Sequence, residues 1–165
     1  MTKAVLLDTS VLIHDPTSMT SFGNDTEVLI PIYVIMELDV LKDTPKREKS
    51  HVAHLARQAS NLILKLQTED KVKVVSHEGG LSISSLDRAN QIRYVDLLIL
   101  QTAIHLKDEY DLTLVSRDIN LRIICESVGV NSSDYTSDTS LDTLSGIGLK
   151  GFVPDVKFMN QLVKS

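Results

Sequence analysis

Apolar residues in this chain fall into two patterns: short continuous runs and positions repeating at helical spacing. Ala4 to Leu7 is a run that stops at Asp8, and Thr9-Ser10 leads into Val11-Leu12-Ile13. This pattern predicts a buried strand, a polar turn with capping chemistry, and a helix. Glu27 to Ile30 predicts a second strand. Pro31 then suits the first turn of a helix through Ile35, Leu38 and Leu41, which Asp43-Thr44-Pro45 ends. Leu55, Ala59, Leu62, Ile63 and Leu66 predict a long helix over about 47–67. Val72 to Val75 reads as a strand, Val95 to Leu106 as a buried helix and Leu112 to Val115 as another strand. A last helix is expected from Asp118 to Val128, stopped by Gly129. Glu78-Gly79-Gly80 opens a looser stretch.

Strands that are apolar throughout and alternate with helices predict an α/β fold, with a parallel sheet covered on both faces. The length of 165 residues suits one domain, and neither a repeat nor a second domain is visible. From about residue 131 the composition turns to Ser, Thr and Asp, which reads as a mobile connection leading to an irregular tail.

Aromatics make up 4% of the chain and Trp is absent, so Leu, Ile and Val must supply most of the core. The lone Cys125, within the run Ile123-Ile124-Cys125, excludes an internal disulfide and reads as a core residue of a reducing compartment. No leader is expected, because Met1-Thr2-Lys3 runs directly into the first strand. No apolar stretch approaches the roughly 20 residues that span a bilayer. The expectation is a cytoplasmic protein with no membrane partner. A net charge of −5 argues against a general nucleic-acid binder, unless bound cations cancel acids locally.

Four acids stand where apolar surroundings should exclude them. Asp8 ends one strand, and Asp118 follows another after Ser116-Arg117. Sites in open α/β sheets form beyond the carboxyl ends of strands. On a helix, Glu37 has Tyr33, Val34, Val40 and Leu41 as neighbours. Asp96 has Ile92, Ile99 and Leu100, with Arg93 the exception. A carboxylate buried in this way must be paired, protonated or metal-bound. Asp8 and Asp118 can each also be read as helix caps. Glu37 and Asp96 can be read as partners of Arg57 or Arg93.

Other catalytic patterns are missing. No phosphate loop ends in Lys-Ser or Lys-Thr, since Ser145-Gly146-Ile147-Gly148-Leu149-Lys150-Gly151 has the wrong spacing. The histidines lack zinc spacing with cysteine, and His51 and His54 lie in a polar stretch. There is no Gly-x-Ser-x-Gly elbow. Thr9, Ser10, Ser116 and Asn120 lie beside the acids in sequence, as candidates to orient them or as ordinary turn residues. Lys42, Lys46, Arg47 and Lys49, with Arg57 further on, form the most basic stretch. It suits either a phosphate backbone or plain solvent.

Asp8-Thr9-Ser10-Val11-Leu12-Ile13 resembles the opening motif of PIN domains. Glu37 in Ile35-Met36-Glu37-Leu38, Asp96 in Val95-Asp96-Leu97-Leu98, and Asp118 in Val115-Ser116-Arg117-Asp118-Ile119-Asn120 resemble the next three acidic positions. The resemblance covers most of the chain. His14-Asp15-Pro16, Leu38-Asp39-Val40-Leu41-Lys42, Asp118 to Ile123 and Ser133-Asp134-Tyr135 are similar to the PIN domain attached to PhoH-like ATPases. Leu97 and Leu98 depart from that subgroup's Asp-Asn-Arg-Ile-Leu pattern.

The resemblance implies a PIN-like, Rossmann-like three-layer sandwich around a central, mostly parallel sheet. It also implies one or two Mg²⁺ or Mn²⁺ ions among Asp8, Glu37, Asp96 and Asp118, and hydrolysis of single-stranded RNA to 5′-phosphate products. A PhoH-type ATPase outside these residues and a homo-oligomer are the partners it suggests. A toxin-like PIN ribonuclease and a non-catalytic RNA-binding or assembly module are the alternatives. A signalling receiver domain also has acids at strand ends, but gives no reason for the inward Glu37.

Overall fold

A computed structural model describes residues 1–44, 46–76 and 88–135, with the side chains of 46–50 and 88–93 left out of the description. Five strands form one sheet: β1 (Thr2–Leu7), β2 (Glu27–Pro31), β3 (Lys73–Val75), β4 (Tyr110–Val115) and β5 (Asn131–Ser133). Their order is β3-β2-β1-β4-β5, and every neighbouring pair is parallel. The helices are α1 (Thr9–His14), α2 (Ile32–Leu41), α3 (Lys46–Thr68), α4 (Arg88–Leu106) and α5 (Ile119–Ser127), with a 3-10 helix at Pro16–Thr20.

The chain winds from β1 to β2 and β3, then returns past β1 to add β4 and β5 on its other side. Right-handed crossovers turn that reversal into helices on opposite faces, giving a three-layer α/β sandwich. The winding direction changes between β1 and β4. Those strands pair along their whole length, from Thr2↔Tyr110 to Leu7↔Val115, and the amide of Asp8 donates one bond further to the Val115 carbonyl, at 3.1 Å.

The continuous apolar runs are buried as expected: Ala4 to Leu7, Val28 to Ile30, and Leu112, Leu114 and Val115 belong to the core. Helix α3 buries Ala53, Ala56, Ala59, Ile63 and Leu66 as one stripe, so small residues set its approach to the protein. Helix α4 buries Val95, Leu98, Ile99, Thr102, Ala103 and Leu106. Cys125 is fully buried, and burial pushes its thiol up to about 11, as a core cysteine requires.

Three expectations change. The 3-10 helix was not anticipated: Pro16 fixes its first turn, and Asp15 caps it by accepting from the Thr17 amide. Helix α4 begins well before Val95. The stretch from Asn131 was read as a mobile connection, yet Asn131–Ser133 is the edge strand β5 and Asp134 and Tyr135 are buried. Its polar composition hid it, because a short edge strand needs little apolar surface. The stretch at Glu78-Gly79-Gly80, the segment 136–145 and the tail lie outside the described residues.

Gly129 ends α5 as expected. Its φ is +78°, and the Val130 amide donates to the Cys125 carbonyl at 2.9 Å while the Gly129 amide donates to Glu126 at 3.3 Å. This is the Schellman closure, with buried Val130 and Cys125 as its apolar contact. A Cβ at Gly129 would meet nothing closer than the flexible Lys107 Nζ at 3.5 Å. Gly129→Ala should therefore cost only the left-handed backbone penalty, about 1–2 kcal/mol, in urea unfolding. A cost near zero would show that the left-handed turn does not close α5.

Candidate functional site

Asp8 occupies the first position after β1, at the winding reversal, and is 5% exposed. Its carboxylate accepts from the Thr9 amide at 2.8 Å, the Ser10 hydroxyl at 2.9 Å and the Ser116 hydroxyl at 2.7 Å. Ser10 and Ser116 stand 3.4 Å apart and so bridge the ends of β1 and β4. Each hydroxyl also accepts a backbone amide, Arg117 to Ser10 and Asp118 to Ser116, both at 3.0 Å.

Asp118 caps α5, with Oδ1 accepting from the Asn120 and Leu121 amides at 2.9 and 3.4 Å. The capping reading of this residue is thus realised, but it uses only one carboxylate oxygen. Glu37 sits on α2 and accepts the Thr9 hydroxyl at 2.7 Å. Asp96 lies beside buried Val95 on α4, half-buried, and accepts no hydrogen bond among the described residues.

Mutual repulsion ties the four together. Burial, above all, pushes the Asp8 carboxyl above its usual range, with Asp118 adding to the effect. Burial raises Glu37 to about 7, helped by the charges of Asp8 and Asp96. Asp96 rises to about 6 through burial and the charges of Asp8 and Asp118. The ion pairs among the described residues are Lys42–Asp39, Lys71–Glu69, Lys73–Glu27 and Arg122–Asp134, and none takes in these acids. The expected alternative of an arginine partner finds no support at Arg57, whose guanidinium donates to the Lys42 carbonyl. The side chain of Arg93 lies outside the description.

Buried oxygen donors that repel one another suit a hard divalent cation. Among the described residues, however, no three His, Cys, Asp or Glu side chains are arranged to hold one ion. The two observations are compatible in chemistry. Magnesium commonly takes one or two carboxylates and fills its shell with water and phosphate oxygens.

The other sequence candidates divide. Thr9, Ser10 and Ser116 touch the acids directly. Asn120 does so only through its backbone amide, and its residue is exposed. Lys42 is occupied by Asp39 at 2.7 Å. The side chains of Lys46, Arg47 and Lys49 lie outside the description. Sequence reasoning missed a second buried acid besides Asp8. Asp134 is fully buried beyond β5, 3.8 Å from Arg122, and it accepts the Tyr135 amide at 2.7 Å. It escaped notice because the strand before it is polar. It also missed that Tyr135 donates its hydroxyl to Asp15 at 3.0 Å, which joins two distant segments of the chain.

A five-stranded parallel sheet with a buried acid, Asp8, at its winding reversal is the frame that this chain shares with known proteins. The family model described as PIN domain matches residues 5–136, and the chain belongs to the PIN-domain family. It is similar to Protein PhoH2 of Thermobispora bispora, 30% identical over 156 residues, covering 86% of this chain and 34% of that protein. Protein PhoH2 of Bacillus subtilis is 30% identical over 159 residues, covering 86% of this chain and 35% of that protein. The chain thus spans about a third of the length of these relatives. A domain of a functionally unknown protein from Methanocaldococcus jannaschii superposes with a TM-score of 0.54 at 14% identity, over 82% of this chain and 92% of that one, a likeness of fold.

The raised acids fix a pH dependence. A carboxyl whose folded pKa lies above its unfolded value favours folding most at low pH, and that contribution is lost as pH rises to the folded pKa. For Glu37 the window runs from 4.5 to about 7. In metal-free protein, Glu37→Gln should therefore stabilise progressively across this window. Its melting point should exceed the wild type's at pH 8 and nearly match it at pH 4. A constant difference across that range would mean that Glu37 is not strained by burial.

Proposed function

We propose that this chain is a divalent-metal-dependent endoribonuclease domain that hydrolyses single-stranded RNA. The observation that supports the reading is buried Asp8 at the winding reversal, held by the Thr9 amide and the Ser10 and Ser116 hydroxyls, with Glu37 tied to the same Thr9 and none of the ion pairs among the described residues reaching these acids. Asp8, Glu37, Asp96 and Asp118 would hold Mg²⁺ or Mn²⁺. When bound, the ion supplies Lewis acidity toward the phosphate and lowers the pKa of water. Ser10 and Ser116 keep Asp8 aimed, and Thr9 holds Glu37.

The stretch carrying Lys42, Lys46, Arg47 and Lys49 is the proposed contact for the RNA backbone. The similarity to PhoH2 proteins supports work alongside a PhoH-type ATPase part. Among the described residues, no helix is long and apolar enough to cross a membrane. The alternative reading is an RNA-binding or assembly module that keeps the acids without cleaving.

Purified protein should cut single-stranded RNA with Mg²⁺ or Mn²⁺, leave 5′-phosphates and stop on chelation. Asp8→Asn should abolish the activity, and a variant as active as wild type would trace the cleavage to a contaminant. Metal binding without cleavage would favour the binding module.

A thermal melt separates ligand from cap at Asp118. Mn²⁺ at about 100 times its dissociation constant should stabilise the fold by roughly 2.7 kcal/mol, a rise of about 5–10 °C. Asparagine caps a helix about as well as aspartate. Asp118→Asn should nevertheless raise the metal-free melting point and shrink the Mn²⁺ shift. If both stay at wild-type values, Asp118 is only a cap.

A further inference from the structure

Between β4 and α5 the chain has only Ser116, Arg117 and Asp118. The outer two serve the candidate site. Ser116 does so twice, donating to Asp8 at 2.7 Å and accepting the Asp118 amide at 3.0 Å. Arg117 faces another task. Its Nη1 donates to the Tyr135 carbonyl at 2.7 Å, and its amide donates to the Ser10 hydroxyl at 3.0 Å.

Tyr135 is a firm anchor. It is 3% exposed, and its ring meets Phe22 and His14 with centroids 6.0 and 6.4 Å away. Its hydroxyl donates to Asp15 at 3.0 Å. Its amide donates at 2.7 Å to Asp134, which is itself fully buried beside Arg122 of α5. The carbonyl that receives Arg117 is thus held from β5, α5 and the start of the 3-10 helix.

We propose that Arg117 is a positioning residue, whose bond to the Tyr135 carbonyl braces the loop that sets Ser116 against Asp8 and Asp118 at the head of α5. The guanidinium donates along fixed directions, so it resists rotation of the loop better than a flexible ammonium does. Any rotation at residue 117 would move the hydroxyl that orients Asp8 and the carboxylate of Asp118 together. Sites of this kind lose function when supporting groups shift by about 1 Å. The consequence for metal binding rests on the nuclease reading; the bracing itself does not.

Amide hydrogen exchange tests the brace in the metal-free protein, with the amides of Leu6 and Leu114 as internal references. Arg117→Met should speed exchange at Asp118 by about ten-fold, the equivalent of one charge-assisted hydrogen bond, and leave the references unchanged. Arg117→Lys, which retains one donor, should restore part of the protection. Mn²⁺ affinity should fall in the order wild type, Arg117→Lys, Arg117→Met. Unchanged exchange at Asp118 in Arg117→Met overturns the brace. So does an Arg117→Lys variant that exchanges at Asp118 as Arg117→Met does. If Arg117→Met fails to fold, Arg117→Lys against wild type carries the decision, and equal rates at Asp118 reject the proposal. Wild-type protein that binds no Mn²⁺ overturns the nuclease reading alone, because the exchange rates still report on the loop.

Discussion

A carboxylate at the end of a central, fully apolar strand is the constraint around which this protein is arranged. Asp8 is buried, and a buried charge must be compensated locally. Compensation comes from the Thr9 amide and from the Ser10 and Ser116 hydroxyls, so the start of α1 and the end of β4 must meet at the end of β1. The pairing of Leu7 with Val115, extended by the Asp8 amide, supplies that register. A slip of one residue would turn every side chain of the strand to the opposite face and break the contact.

Two buried acids in the same sheet are handled in opposite ways. Asp134, beyond β5, has the opposite charge of Arg122 3.8 Å away inside the protein. Asp8 receives only neutral donors, which orient it without cancelling its charge. With Glu37, Asp96 and Asp118 adding further negative charge nearby, the carboxyl ends of β1 and β4 concentrate unbalanced charge. Burial first, and the neighbouring charges second, raise the Asp8, Glu37 and Asp96 carboxyls above their usual range. Such strain is common where a site is built to receive a cation, since a bound cation reverses the local pKa logic. Asp118 shows that structure and site chemistry need not compete, because one oxygen caps α5 while the carboxylate also contributes to the shared field.

Two of the segments that resemble the PhoH-linked subgroup meet in space. His14 and Asp15 touch Tyr135 through a ring contact and a hydrogen bond. Separated by most of the described chain, they form one joint. Through Arg117 that joint reaches the loop carrying Ser116 and Asp118. The family pattern therefore extends past the acids to the scaffold that holds their loop.

Much of this was legible in the sequence because its causes are local. Continuous apolar runs mark strands buried on both faces, helical spacing marks the covering helices, and Gly129 marks the end of α5 through its left-handed backbone. An acid in an apolar frame is conspicuous in the same way, which is why Asp8, Glu37, Asp96 and Asp118 stood out. What depended on distant partners stayed hidden. The polar strand β5 has no periodic signature and exists because β4 offers it a hydrogen-bonding edge. Asp134 could not be known as buried without that strand, nor Arg117 known to point at the Tyr135 carbonyl. The chain's own chemistry determined which residues are costly to bury. Only the tertiary structure decided which of those acids gain a partner from elsewhere in the chain, Ser116 for Asp8, Thr9 for Glu37 and Arg122 for Asp134, because β-α crossovers bring residues far apart in sequence alongside.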